Sequence, residues 1–84
     1  MLKPPVLKTK IEFALPRSGD VYLIIYNLLG QQVKTLMNKN LEYGYYSVTW
    51  NGLDQLGRPA PSGIYFSELR SRKFRQTKKM LLLK

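Results

Sequence analysis

Apolar residues in this chain recur at every second position, and no stretch shows the three-to-four spacing of an amphipathic helix. Lys10 to Leu15 places Ile11, Phe13 and Leu15 on one face. Val21 to Asn27 places Val21, Leu23 and Ile25 on one face and Tyr22, Ile24 and Tyr26 on the other. A strand with bulky residues on both faces is expected at the centre of a sheet, covered from two sides. Between these strands, Pro16 with Ser18, Gly19 and Asp20 turns the chain. Leu28, Leu29 and Gly30 read as a turn or bulge, where Gly30 can take a positive φ without a side-chain clash.

Gln31 to Leu36 reads as a third strand, followed by a loop at Asn38, Lys39 and Asn40, residues that tolerate turn geometry. In Tyr45 to Trp50 the heavier set, Tyr46, Val48 and Trp50, alternates with Tyr45, Ser47 and Thr49 and is expected to face the core. From Asn51 to Gly63, two prolines and three glycines forbid regular structure. The chain resumes as strand at Ile64 to Arg70, turns near Ser71 to Lys73 and closes with a terminal strand. Six to seven short strands joined by turns predict an all-β fold, a small antiparallel β-sandwich. Its expected core is Ile11, Phe13, Leu15, Val21, Leu23, Ile25, Val48, Trp50, Tyr65 and Leu69. Trp50 is read as a pillar of that core in preference to a ligand platform.

With 84 residues there is room for one domain, assigned here to 9–84, with 1–8 as a flexible lead or linker. A hydrophobic content of 44% suits a folded domain better than a disordered tail. No stretch is long enough to cross a bilayer, and the amino terminus lacks a signal-peptide pattern. The chain reads as a monomeric domain excised from a larger parent.

Histidine and cysteine are both absent, which removes the common general base, thiolate chemistry and the usual zinc ligands. Five carboxylates remain, widely spaced at Glu12, Asp20, Glu42, Asp54 and Glu68. No catalytic residue, cofactor or metal is expected. Asp54 followed by Gly57 lacks the alternating oxygen ligands and closing acid of a calcium loop. Asp54 is therefore read as a turn former that caps backbone amides through its side chain.

The formal charge of +9 is concentrated: seven of the fourteen basic residues lie in the last fifteen positions, with no acid after Glu68. A nucleic-acid partner is not favoured by that distribution. The plainer account is an edge hairpin whose lysines and arginines discourage strand addition. The alternative is contact with an anionic polysaccharide or lipopolysaccharide through Arg70, Arg72, Lys73, Arg75 and Lys78. Tyr22, Tyr26, Ile64 and Phe66 form a sugar-binding patch in one reading and a face covered by neighbouring structure in another.

Three stretches carry a family resemblance. Asp20 to Val33 resembles the second-strand signature of the immunoglobulin-like module that ends many cargo proteins of the type IX secretion system. Trp50 to Tyr65 is similar to its central turn motif, through Trp50, Gly52, Asp54, Gly57, Gly63 and Tyr65. The ending Lys79, Met80, Leu81, Leu82, Leu83 and Lys84 is similar to the family's terminal motif. Leu53 and Ile24 depart from it, standing where polar residues are usual. The same module resembles the immunoglobulin-like part of the flagellar hook-cap protein, the nearest competitor.

The first resemblance implies an immunoglobulin-like sorting domain, read by the type IX translocon and its surface-attachment machinery. Its destination would be the exterior of a Gram-negative outer membrane. The second implies an accessory assembly module, a hook-cap-like protein scaffold, and the exposed aromatics leave a polysaccharide-binding module as the other form of that alternative. Both function classes stay open at this point.

Overall fold

The computed structural model describes residues 9–72 and 74–83. Six strands form β1 (Thr9–Leu15), β2 (Gly19–Asn27), β3 (Gln32–Leu41), β4 (Gly44–Trp50), β5 (Gly63–Ser71) and β6 (Phe74–Leu82). β1 and β4 make a two-stranded sheet, and the other four make a second sheet in the order β3-β2-β5-β6. Every pairing is antiparallel. The expected all-β, immunoglobulin-like sandwich is the observed architecture.

Alternation explains how the two layers close. Ile11, Phe13 and Leu15 of β1 face Val21, Leu23 and Ile25 of β2, with Tyr65 and Leu69 of β5 completing the layer. Trp50 ends β4 fully buried, its ring edge-on to Tyr65 at 5.0 Å. Phe13 and Tyr46 stack across the β1–β4 ladder at 5.4 Å. β2 is central, as its two apolar faces require, and Ile24 on its outer face is buried between Tyr22 and Tyr26 opposite Glu68 of β5.

The structure departs from the sequence expectations at several places. Asn38, Lys39 and Asn40 are not a loop but the second half of β3, paired with Tyr22, Val21 and Asp20. The ladder and the side-chain bond from Asn40 Nδ2 to Asp20 Oδ1 (3.1 Å) override their turn preference, and the turn falls at Glu42 and Tyr43. Extra residues at Leu36 and Val33 bulge β3 against β2, which lets the strand run on. Val48 is only half-buried, on a strand that pairs among the described residues with β1 alone. Ala60 and Leu82 join the core from the loop and the terminal strand. The 1–8 lead lies outside the described residues.

Candidate functional site

The segment from Asn51 to Ser62 is an ordered loop built on its motif residues. Trp50 Nε1 donates to the Leu53 carbonyl (2.9 Å), and Leu53 bridges to Pro59. Gly52 is buried at φ 79°, and a Cβ there would meet Leu82 Cδ1 at 3.3 Å. The Tyr65 hydroxyl donates back to the Pro61 carbonyl, the tyrosine-corner arrangement of sandwich folds. Burial pushes that phenol's pKa up. Trp50, Gly52 and Tyr65 are thus structural, as expected for Trp50.

Asp54 organises the tip of the loop. Its Oδ1 accepts from the amides of Leu56 and Arg58, both at 2.9 Å, and Oδ2 meets Arg58 Nε at 3.3 Å. The carboxylate is engaged as a turn cap, the role read from sequence. The Arg58 amide first, then the Leu56 amide and the Arg58 charge, hold its pKa below the ordinary carboxylate value against an opposing effect of burial. A depressed folded-state pKa adds stability that is present above the unfolded carboxylate range and lost as pH falls through the folded value. The melting-temperature gap between wild type and Asp54→Ala should therefore narrow as pH drops from about 5 to about 2. A constant gap would refute the linkage.

The same loop walls an open cleft of about 740 Å³ against the β2–β3 turn. Leu28, Leu29, Leu56 and Ile64 line it, the first three exposed at 67%, 83% and 74%. The Gln55 amide donates to the Val33 carbonyl, and its side-chain oxygen accepts from the Thr35 amide, both at 2.9 Å, which fixes the loop to β3. The strand β6 ends at this pole, with Leu81 opposite Ile64. Sequence reasoning missed this leucine cluster because its members lie in separate turns, far apart in the chain.

The terminal motif is divided between core and surface. Leu82 is 1% exposed and packs beneath Gly52, Met80 is half-buried, and Lys79, Leu81 and Leu83 face solvent. Lys84 lies outside the described residues. Of the five basic positions considered for anionic contact, Arg70 and Arg75 are cross-strand partners on the outer face of the four-stranded sheet. They flank Glu68, to which Arg70 Nη2 donates at 2.6 Å. Lys78 points elsewhere, its Nζ donating to the Glu12 carbonyl of β1 (2.9 Å). Arg72 sits in the β5–β6 turn at φ 50° with its Nε over Gly19. Lys73 lies outside the described residues.

The four residues of the suggested sugar patch do share that outer face, Tyr22 beside Arg70 and Tyr26 beside Phe66. Tyr22 and Ile64 are exposed, whereas Tyr26 and Phe66 are half-buried and the Tyr26 hydroxyl donates to Glu68 (3.4 Å). The most exposed aromatics are instead Tyr43 and Tyr45, at 73% and 91%. The alternation that placed Tyr45 opposite the core set was the available signal for it.

The sequence matches the family described as the FlgD Ig-like domain over residues 7–73. The chain belongs to that family. The solved structure of FlgD from P. aeruginosa is similar to it, with a TM-score of 0.71 and 26% sequence identity. That match covers 89% of this chain and 58% of the FlgD chain. No curated protein matches the sequence. Of the two families the sequence resembles, the FlgD Ig-like domain is the one these comparisons support. The matched stretch contains the whole turn motif and stops before Lys79.

Proposed function

We propose that this FlgD-type immunoglobulin-like chain is a non-catalytic assembly module, a hook-cap-like scaffold that docks on protein partners through its leucine pole. The observation that carries this reading is the cluster of Leu28, Leu29 and Leu56 around the loop cleft. Soluble folds rarely leave such side chains grouped in water without a partner, and exposed apolar patches of this kind mark interaction sites. The absence of histidine and cysteine from the sequence supports the non-catalytic part. Family membership supports the scaffold part.

The test is a chimera in which this chain replaces the immunoglobulin-like domain of P. aeruginosa FlgD. Hooks should assemble, and the double variant Leu28→Glu, Leu56→Glu should abolish them. Its melting temperature should stay close to wild type, since exposed substitutions usually change stability by less than about 0.5 kcal/mol. A folded chimera made at normal level that supports no hooks would overturn the reading.

A second reading is favoured by a different observation: Lys79, Leu81 and Leu83 are presented to solvent on a strand anchored by Leu82. In this reading the strand is an address for type IX export to the cell exterior, followed by attachment to anionic lipopolysaccharide. Lys84→Ala should then reduce secretion of a fused reporter in a host with that system, at unchanged melting temperature. Undiminished secretion would remove Lys84 from the address.

A further inference from the structure

The two sheets have four outer strand edges, and exposed edges need protection against pairing with other chains. β6 carries Arg75, Lys78 and Lys79 and lies against β1, with Lys78 donating to the Glu12 carbonyl and the Thr9 hydroxyl to the Leu81 carbonyl (3.5 Å). These contacts occupy the outer edge of β1 as well. β3 is bulged at Leu36 and Val33 and bonded to Gln55. β4 has none of these defences. Its ladder with β1 runs unbroken from Thr9 opposite Trp50 to Leu15 opposite Gly44. Among the described residues, no other strand pairs with it. It contains no proline and is the one strand of the six without a charged residue.

We propose that β4 pairs antiparallel with β4 of a second copy of this chain, joining two β1–β4 ribbons into one four-stranded sheet. Charge at this edge does not oppose a second copy. Two chains of formal charge +9 repel wherever basic surfaces meet, and Gly44–Trp50 is an edge along which no like charges are brought together. The segment is also rich in Tyr, Val, Thr and Trp, which favour strands. A two-fold axis at the middle residue sets Ser47 against its own copy, Tyr45 against Thr49 and Tyr46 against Val48. Tyr45 gains a β-branched cross-strand neighbour, and the half-buried Tyr46 and Val48 gain cover. A seven-residue edge buries less than stable dimers do, so the pairing is weak and depends on concentration. The proposal deepens the assembly reading, yet it uses a different surface from the leucine pole, so the two can fail separately.

Sedimentation equilibrium from about 10 μM to about 1 mM, where small interfaces become populated, provides the test. A reversible monomer–dimer equilibrium is expected, strengthened by added salt because repulsion between the basic chains is screened. Ser47→Lys and Ser47→Glu each set like charges against each other and should weaken association by about tenfold or more. An equimolar mixture of the two should restore it. Ser47 faces solvent, so circular dichroism should not change and Ser47→Lys, set opposite Glu12 of β1, should keep its melting temperature, whereas Ser47→Glu should melt slightly lower. Independently, Ser47→Cys should cross-link between copies under oxidised glutathione, whereas Asn38→Cys on β3 should not; the chain has no other cysteine. A wild type that stays monomeric throughout, dimerisation by Ser47→Lys equal to wild type, or cross-linking equal at both positions would overturn the proposal.

Discussion

Trp50→Ala is expected to lower the unfolding free energy by about 3 to 5 kcal/mol. A domain of this length has roughly 4 to 13 kcal/mol in total, so the variant should be largely unfolded near the lower bound. Trp50 is fully buried, supports Tyr65 edge-on and ties β4 to the loop through its bond to the Leu53 carbonyl. Removing it leaves a cavity and an acceptor without its donor. Trp50→Phe keeps much of the packing but loses the indole N–H, and should cost about 1 to 3 kcal/mol. Urea unfolding measures both, with an unchanged slope indicating that stability alone has moved. A midpoint for Trp50→Ala equal to wild type would contradict the pillar role.

The second large effect separates neighbours in the terminal strand. Leu82→Ala should cost about 2 to 5 kcal/mol, because Leu82 fills the space under Gly52 beside the core. Leu81→Ala and Leu83→Ala, on exposed positions, should stay within about 0.5 kcal/mol. Thermal melts of the three variants decide this, and equal losses at all three would mean that the register of β6 is wrong. The consequence reaches function. Any loss of recognition on changing Leu82 reports folding first, whereas Lys79, Leu81 and Leu83 can be altered to probe recognition while the sandwich stays intact.

Much of the fold was legible in the residues. The alternation in β1, β2 and β5 placed eight of the ten expected core residues correctly and that in β4 placed Trp50, and two apolar faces marked β2 as central. Asp54 could be read as a turn cap because its spacing offered no competing ligand set, and its carboxylate does bind the Leu56 and Arg58 amides. The failures share a cause. Val48 alternates correctly but lies on a strand with one neighbour, and Asn38 to Asn40 prefer turns in isolation but lie opposite the first residues of β2. Ser67 and Ser71 are buried at 3% and 4%, since the inward face of β5 continues whatever the polarity of the residue. Each outcome depended on which strand stood alongside.

The sequence by itself determined the period-two pattern, and with it the strand class, the inward residues and the turn glycines, because side-chain direction along a strand is a local property of the backbone. Tertiary structure alone decided which distant residues meet. It gathered Leu28, Leu29 and Leu56 at one pole, split the basic residues of the last hairpin between Glu68 and the β1 seam, and left β4 as the undefended edge. Strand neighbours are set by long-range pairing and by how the two sheets close over one core. The alternation within a strand is the same whether one partner or two lie beside it.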